Sequence, residues 1–141
     1  NKMKKYLLLA LIALVAAACS KEETKSTFDY PMEALYGTWR VTHIEQKDGT
    51  MLNVTTWIAE KVVKPTYATF RRDGTYTGQG AFGDGKGKYK VYGKTITCYI
   101  DDDDDEYVRY DVLYLNDDQE ELSMYNSERP SSTLRIRCKK Q

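Results

Sequence analysis

A chain of 141 residues supplies one domain's worth of core, and its 21 basic and 21 acidic residues leave it formally neutral. Lys2, Lys4 and Lys5 belong to an N-terminal leader; without them 18 basic residues face 21 acidic ones and the remainder carries −3. That balance argues against nucleic acid as a partner, since binding phosphates needs a concentrated excess of Lys and Arg.

The leader comes first. After Met3, Lys4 and Lys5 precede an uncharged run over residues 6–18, the layout of an export signal. Thirteen apolar positions fall short of the roughly 17 to 25 that span a bilayer as a helix. Ala16, Ala17 and Ala18 then meet Cys19, a junction that resembles the bacterial lipobox. The resemblance implies cleavage after Ala18 and a lipid on Cys19, which would hold the protein on a membrane. Ser20-Lys21-Glu22-Glu23 is similar to the lysine-plus-acids signal of Bacteroidetes-type lipoproteins. It implies an outer-membrane lipoprotein displayed at the cell surface, the periplasmic face being the alternative. Residues 19–34 read as lipidated cysteine and flexible tether, and 35–141 as the folded domain.

From Leu35 the chain alternates apolar and polar residues between closely spaced turns, which is how an all-β sandwich or barrel reads. Eight strands are predicted, over 37–44, 66–71, 75–79, 86–92, 95–100, 107–115, 121–125 and 132–139. Asp48-Gly49 and Asp73-Gly74 suit tight turns, so sequence neighbours should be antiparallel neighbours in space. Twelve Tyr against three Phe favour half-buried strand surfaces that keep a polar tip available. Period two points Trp39, Val41, Phe70, Tyr89, Cys98, Val108, Tyr110, Val112, Tyr114, Leu122 and Ile136 inward. Residues 53–63 break the rhythm: Val54, Trp57, Ile58 and Val62 fall at helical spacing behind an Asn53 cap, predicting a short helix that buries this stripe over one barrel end.

Gly37-Thr38-Trp39 resembles the G-x-W of lipocalins, and Tyr67-Ala68-Thr69-Phe70, Asp73-Gly74-Thr75-Tyr76, Gly87-Lys88-Tyr89 and Gly93-Lys94-Thr95-Ile96 follow in the order of the lipocalin-like lipoproteins of Bacteroidetes. The resemblance implies an eight-stranded up-and-down antiparallel barrel. Trp39 would close one end under a basic side chain from the last strand, Arg135 or Arg137, although alternation puts both on the outer face.

Such a barrel is just wide enough to fill with side chains or to hold one small ligand. Trp39, Tyr76, Tyr89, Tyr110 and Tyr114 are the candidate ligand-binding residues, their rings and hydroxyls suiting an amphipathic molecule. The same rings could instead fill the barrel and leave a protein-interaction module. Catalysis has little to stand on: His43 is the one histidine and reads as a satisfied or exposed strand residue, and phosphate loops, nucleophile elbows and Cys-x-x-Cys pairs are absent from the sequence. No cofactor or metal is expected. Cys98 and Cys138 with His43 lack ligand spacing, and read as buried free thiols because the fifth and eighth strands are not neighbours in a meander. The acidic run 101–106 reads as a solvated hairpin loop rather than a calcium site.

Overall fold

The computed structural model describes residues 27–100, 106–125 and 133–141; the leader, Cys19, the Ser20–Glu23 signal and positions 101–105 of the acidic run lie outside them. A one-turn helix α1 (Met32–Leu35) precedes nine strands: β1 (Gly37–Glu45), β2 (Met51–Asn53), β3 (Tyr67–Phe70), β4 (Thr75–Gln79), β5 (Gly85–Tyr92), β6 (Thr95–Ile100), β7 (Glu106–Leu115), β8 (Gln119–Tyr125) and β9 (Leu134–Lys140). Each strand from β3 to β9 pairs antiparallel with its sequence neighbour, and β9 returns to β1, so eight strands close a barrel. The short β2, absent from the predicted set, pairs with the upper part of β1 on the edge that β3 uses lower down.

The Asp-Gly-Thr turns form because glycine takes the positive φ the reversal needs, φ +88 at Gly49 and +89 at Gly74, while the preceding aspartate ties the exit. Asp48 and Asp73 each accept from the backbone N–H, at 2.9 Å, and from the hydroxyl of the threonine two residues on. These bonds to Thr50 and Thr75 are the main reason both carboxyls titrate below the usual range.

Alternation places apolar residues inside and lysines such as Lys86, Lys88 and Lys90 outside. Among the described residues it fails at three bulges. The β1–β9 register shifts between Val41 and His43, β6–β7 between Cys98 and Tyr99, and β7–β8 between Val112 and Tyr114. A bulge opposes two residues to one and reverses the facing of the residues beyond it. His43 therefore shares the face of its partner Arg137 while Ile44 packs on the core, and Tyr114 is exposed while Leu115 is buried. Period two had placed Tyr114 inside, and continued from Trp39 and Val41 it would carry His43 inside as well.

The barrel's ends differ. At the end where β1 begins, Phe28, Ala34 and Leu35 are buried against the core, Tyr30 donates its hydroxyl to the Val112 carbonyl at 3.3 Å, and Phe28 bridges to Gly93. Residues 27–34, read from sequence as part of a tether, thus pack against this closed end. The connections 46–50, 54–66 and 80–84 lie at the other end. There the expected helix over 53–63 is reduced to a single 3-10 turn, Ala59–Lys61. Asn53 forms a turn onto Thr55, accepting from its N–H at 2.8 Å, instead of capping a helix. β-Branched Thr55, Thr56, Val62 and Val63 favour this irregular path. Val54 is buried, but Trp57, Ile58 and Val62 are 70%, 61% and 85% exposed, so the stripe does not plug the barrel.

Candidate functional site

The lower barrel is filled by rings. Phe70 is ringed by Tyr76, Tyr89 and Tyr110, with centroids 5.4, 5.1 and 6.4 Å away. Beneath them Trp39 is fully buried and donates its indole N–H to the Leu35 carbonyl at 2.8 Å. The basic partner of Trp39 is Lys140, not Arg135 or Arg137: its ammonium lies 5.0 Å from the ring centroid and donates to the Ala34 carbonyl at 2.9 Å. Cation–π attraction of this kind contributes about 0.5 to 2 kcal/mol. Arg135 and Arg137 instead pair with Glu121 on the outer face.

Above the rings the barrel is hollow. A cavity of about 510 Å³ reaches from Thr66, Phe82, Gly83, Tyr125 and Thr133 at the open end down to Tyr76, Tyr110, Glu120 and Cys138. That is the size of small-molecule sites, and its walls, Val41, Ala68, Val108, Leu122, Met124, Leu134 and Ile136, are predominantly apolar. Two small residues create the space. Ala68 and Gly78 face each other across β3 and β4, one step above the bulky pair Phe70 and Tyr76. A Cβ on Gly78 would fall 2.5 Å from the Tyr76 hydroxyl, so glycine lets that side chain lie along the strand. The rim is pinned by Thr66, whose hydroxyl donates to the Lys64 carbonyl and accepts from the Ala81 N–H.

Of the five candidate residues, the structure brings Tyr76 and Tyr110 together on the cavity wall with hydroxyls 3.3 Å apart. Tyr89 is inward but one layer lower, its hydroxyl donating to the Arg71 carbonyl at 2.7 Å. Trp39 lies beneath the cavity and does not line it. Tyr114 is outside, accepting from the Asn116 side chain. Burial pushes the Tyr110 phenol far above its ordinary range, so it stays a neutral donor.

The residue that sequence reasoning missed is Glu120. It is 2% exposed, lines the cavity floor, and neither carboxyl oxygen has an N–H or O–H partner, only the weak S–H of Cys138 beside it. Burial pushes its pKa up to about 8, against the opposing pull of the Lys140 charge and the Cys138 thiol. Cys138 stands directly across on β9. Both it and Cys98 are free and buried, with thiol pKa values driven upward by desolvation. The signal for Glu120 was present: alternation through Leu122 and Met124, extended one step back, puts it inside.

Among the described residues, groups of three or more His, Cys, Asp or Glu that could hold a metal are absent. His43, on the outer face, is held below its ordinary pKa by burial and by Arg137. No curated protein matches the chain. A family model described as a lipocalin-like domain matches residues 35–122, from α1 through the middle of β8. With that match spanning well over half the sequence and the closed eight-stranded barrel around it, the chain belongs to the lipocalin-like domain family.

Proposed function

We propose that this protein is a lipid-anchored, non-enzymatic binding module that holds one small amphipathic molecule inside its barrel. The observation that carries the reading is the 510 Å³ apolar cavity, open at one end and floored by Glu120, Tyr76 and Tyr110. The alternative, a solid barrel acting solely through its outer surface, is what that cavity argues against.

The anchor is the lipid on Cys19, placed on the outer membrane and at the cell surface by the Lys21-Glu22-Glu23 signal. Cys19 stands eight positions before Thr27, where the described chain meets the closed end. Eight residues reach at most about 29 Å. A tether that starts at the closed end supports an orientation with the membrane on that side and the mouth turned toward a ligand arriving from solution.

Native mass spectrometry of residues 20–141, purified without detergent from the native host, tests the binding reading. An extra mass lost on mild activation, and lost also in Ala68→Phe, is the expected result. The bare mass for both proteins would overturn it. For the anchor, Cys19→Ser should abolish labelling by radioactive palmitate, and protease applied to intact cells should remove the protein; an untouched protein would put it on the periplasmic face.

A further inference from the structure

The barrel interior holds one group that a simple apolar pocket has no use for. Glu120 sits on the floor with no N–H or O–H partner for either oxygen, and leaving such a group so poorly paired in a low-dielectric interior is costly. The groups around it do not relieve this. On β9, Cys138 offers a weak thiol donor, while Lys140 directs its ammonium to the Ala34 carbonyl and the Trp39 ring. From β4 and β7 the Tyr76 and Tyr110 hydroxyls approach each other on the cavity wall. Among the residues lining the cavity there is no Lys, Arg or His. An anionic head such as a carboxylate or phosphate would find no cation and would meet a carboxyl. A head rich in N–H donors would satisfy the orphaned oxygens.

Resting on the reading of the cavity as a binding site, we infer that it selects amphiphiles with an amine head, which enter head first and donate to Glu120 while the tail lies along Val108, Leu122, Met124 and Leu134. An alkylammonium arrives charged, the Glu120 carboxylic acid releases its proton to water, and the ammonium and carboxylate remain as a neutral pair. The Tyr110 hydroxyl on the cavity wall can accept from a further N–H group.

The test uses octylamine, octanol and octanoate with residues 20–141, which contain the whole closed barrel and its core. Isothermal titration at pH 7 should show octylamine binding at least about tenfold tighter than octanoate, with proton release revealed by buffers of different ionisation enthalpy. In Glu120→Gln the amine preference should fall to near unity while octanol binding is kept. Octanoate binding as tightly as octylamine, or a preference that survives Glu120→Gln, overturns the amine assignment and leaves the cavity as a binding site. Failure of all three to bind removes both readings. Should Glu120→Gln not fold, ¹³C NMR of the wild-type Glu120 carboxyl decides: its signal must move to the ionised position on adding octylamine, and an unmoved signal overturns the inference.

Discussion

Glu120→Gln should change how stability depends on pH. The wild-type carboxyl has an ordinary value of 4.5 and a folded-state value of about 8, because burial penalises the charge. The folded state thus holds the proton more tightly than the unfolded chain. Its contribution to stability is full below about 4.5 and is lost as pH rises through 8. At 1.36 kcal/mol per pH unit between those values, the ceiling is about 5 kcal/mol. Water entering the open mouth screens part of the charge, so an effect of about 2 to 5 kcal/mol is expected, a large share of the roughly 5 to 15 kcal/mol that holds a domain folded. Glutamine has nearly the same shape and never ionises. The two proteins should match at pH 5 and diverge progressively to pH 8.5, with the variant melting about 10 °C higher at the alkaline end. His43, whose pKa is depressed, makes stability rise with pH over the acid side, but it does so equally in both proteins and cancels in the difference. The raised phenols lose their protons in the unfolded chain only at more alkaline pH, and the raised thiols, whose ordinary value of 9.0 begins to matter at the top of the window, do so in both proteins and largely drop out of the difference. Urea unfolding at half-unit pH steps makes the measurement, and curves that stay parallel from pH 5 to 8.5 would refute the argument.

Trp39→Ala should cost about 3 to 5 kcal/mol in urea unfolding, and Lys140→Met about 1 to 2, since one removes the plug of the closed end and the other its cationic cover. Gly80→Ala combines a φ of +119 with a Cβ only 2.5 Å from the Pro65 carbonyl oxygen, so it should destabilise by about 2 kcal/mol or more; an unchanged melting temperature would contradict the rim geometry. Cys98 and Cys138 should resist iodoacetamide at pH 8 in the folded protein and react once denaturant is added.

The strand pattern was legible because a barrel with one apolar face writes period two into its sequence, and Asp-Gly-Thr turns mark the reversals. Two errors of facing share one cause. Period two puts Tyr114, and would put His43, inside because an extra residue at each bulge leaves no compositional trace, yet reverses the facing of the strand beyond it. Glu120 and Lys140 were missed for the opposite reason. Both continue an inward alternation at a strand's closed-end terminus, Leu122 to Glu120 and Cys138 to Lys140, but charge there reads as loop. The stripe Trp57, Ile58 and Val62 has helical spacing without a partner to bury it, and spacing alone does not reveal the partner's absence.

Whether an eight-stranded barrel is filled or hollow turns on side-chain volume at particular heights along the wall. Here the β3–β4 register decides it. Phe70 against Tyr76 gives the ring layer that seals the lower half, and Ala68 against Gly78 immediately above leaves the space. The tyrosines thus serve at two levels: the Phe70-centred cluster is packing, while Tyr76 and Tyr110 also line the void above it. Glu120 sits at the boundary of the two. A leucine there would extend the packed layer and avoid the alkaline loss of stability, so the carboxyl is hard to account for as part of the core. It is accounted for if the floor is meant to be met by a donor, and the small pair above it provides the room through which that donor enters.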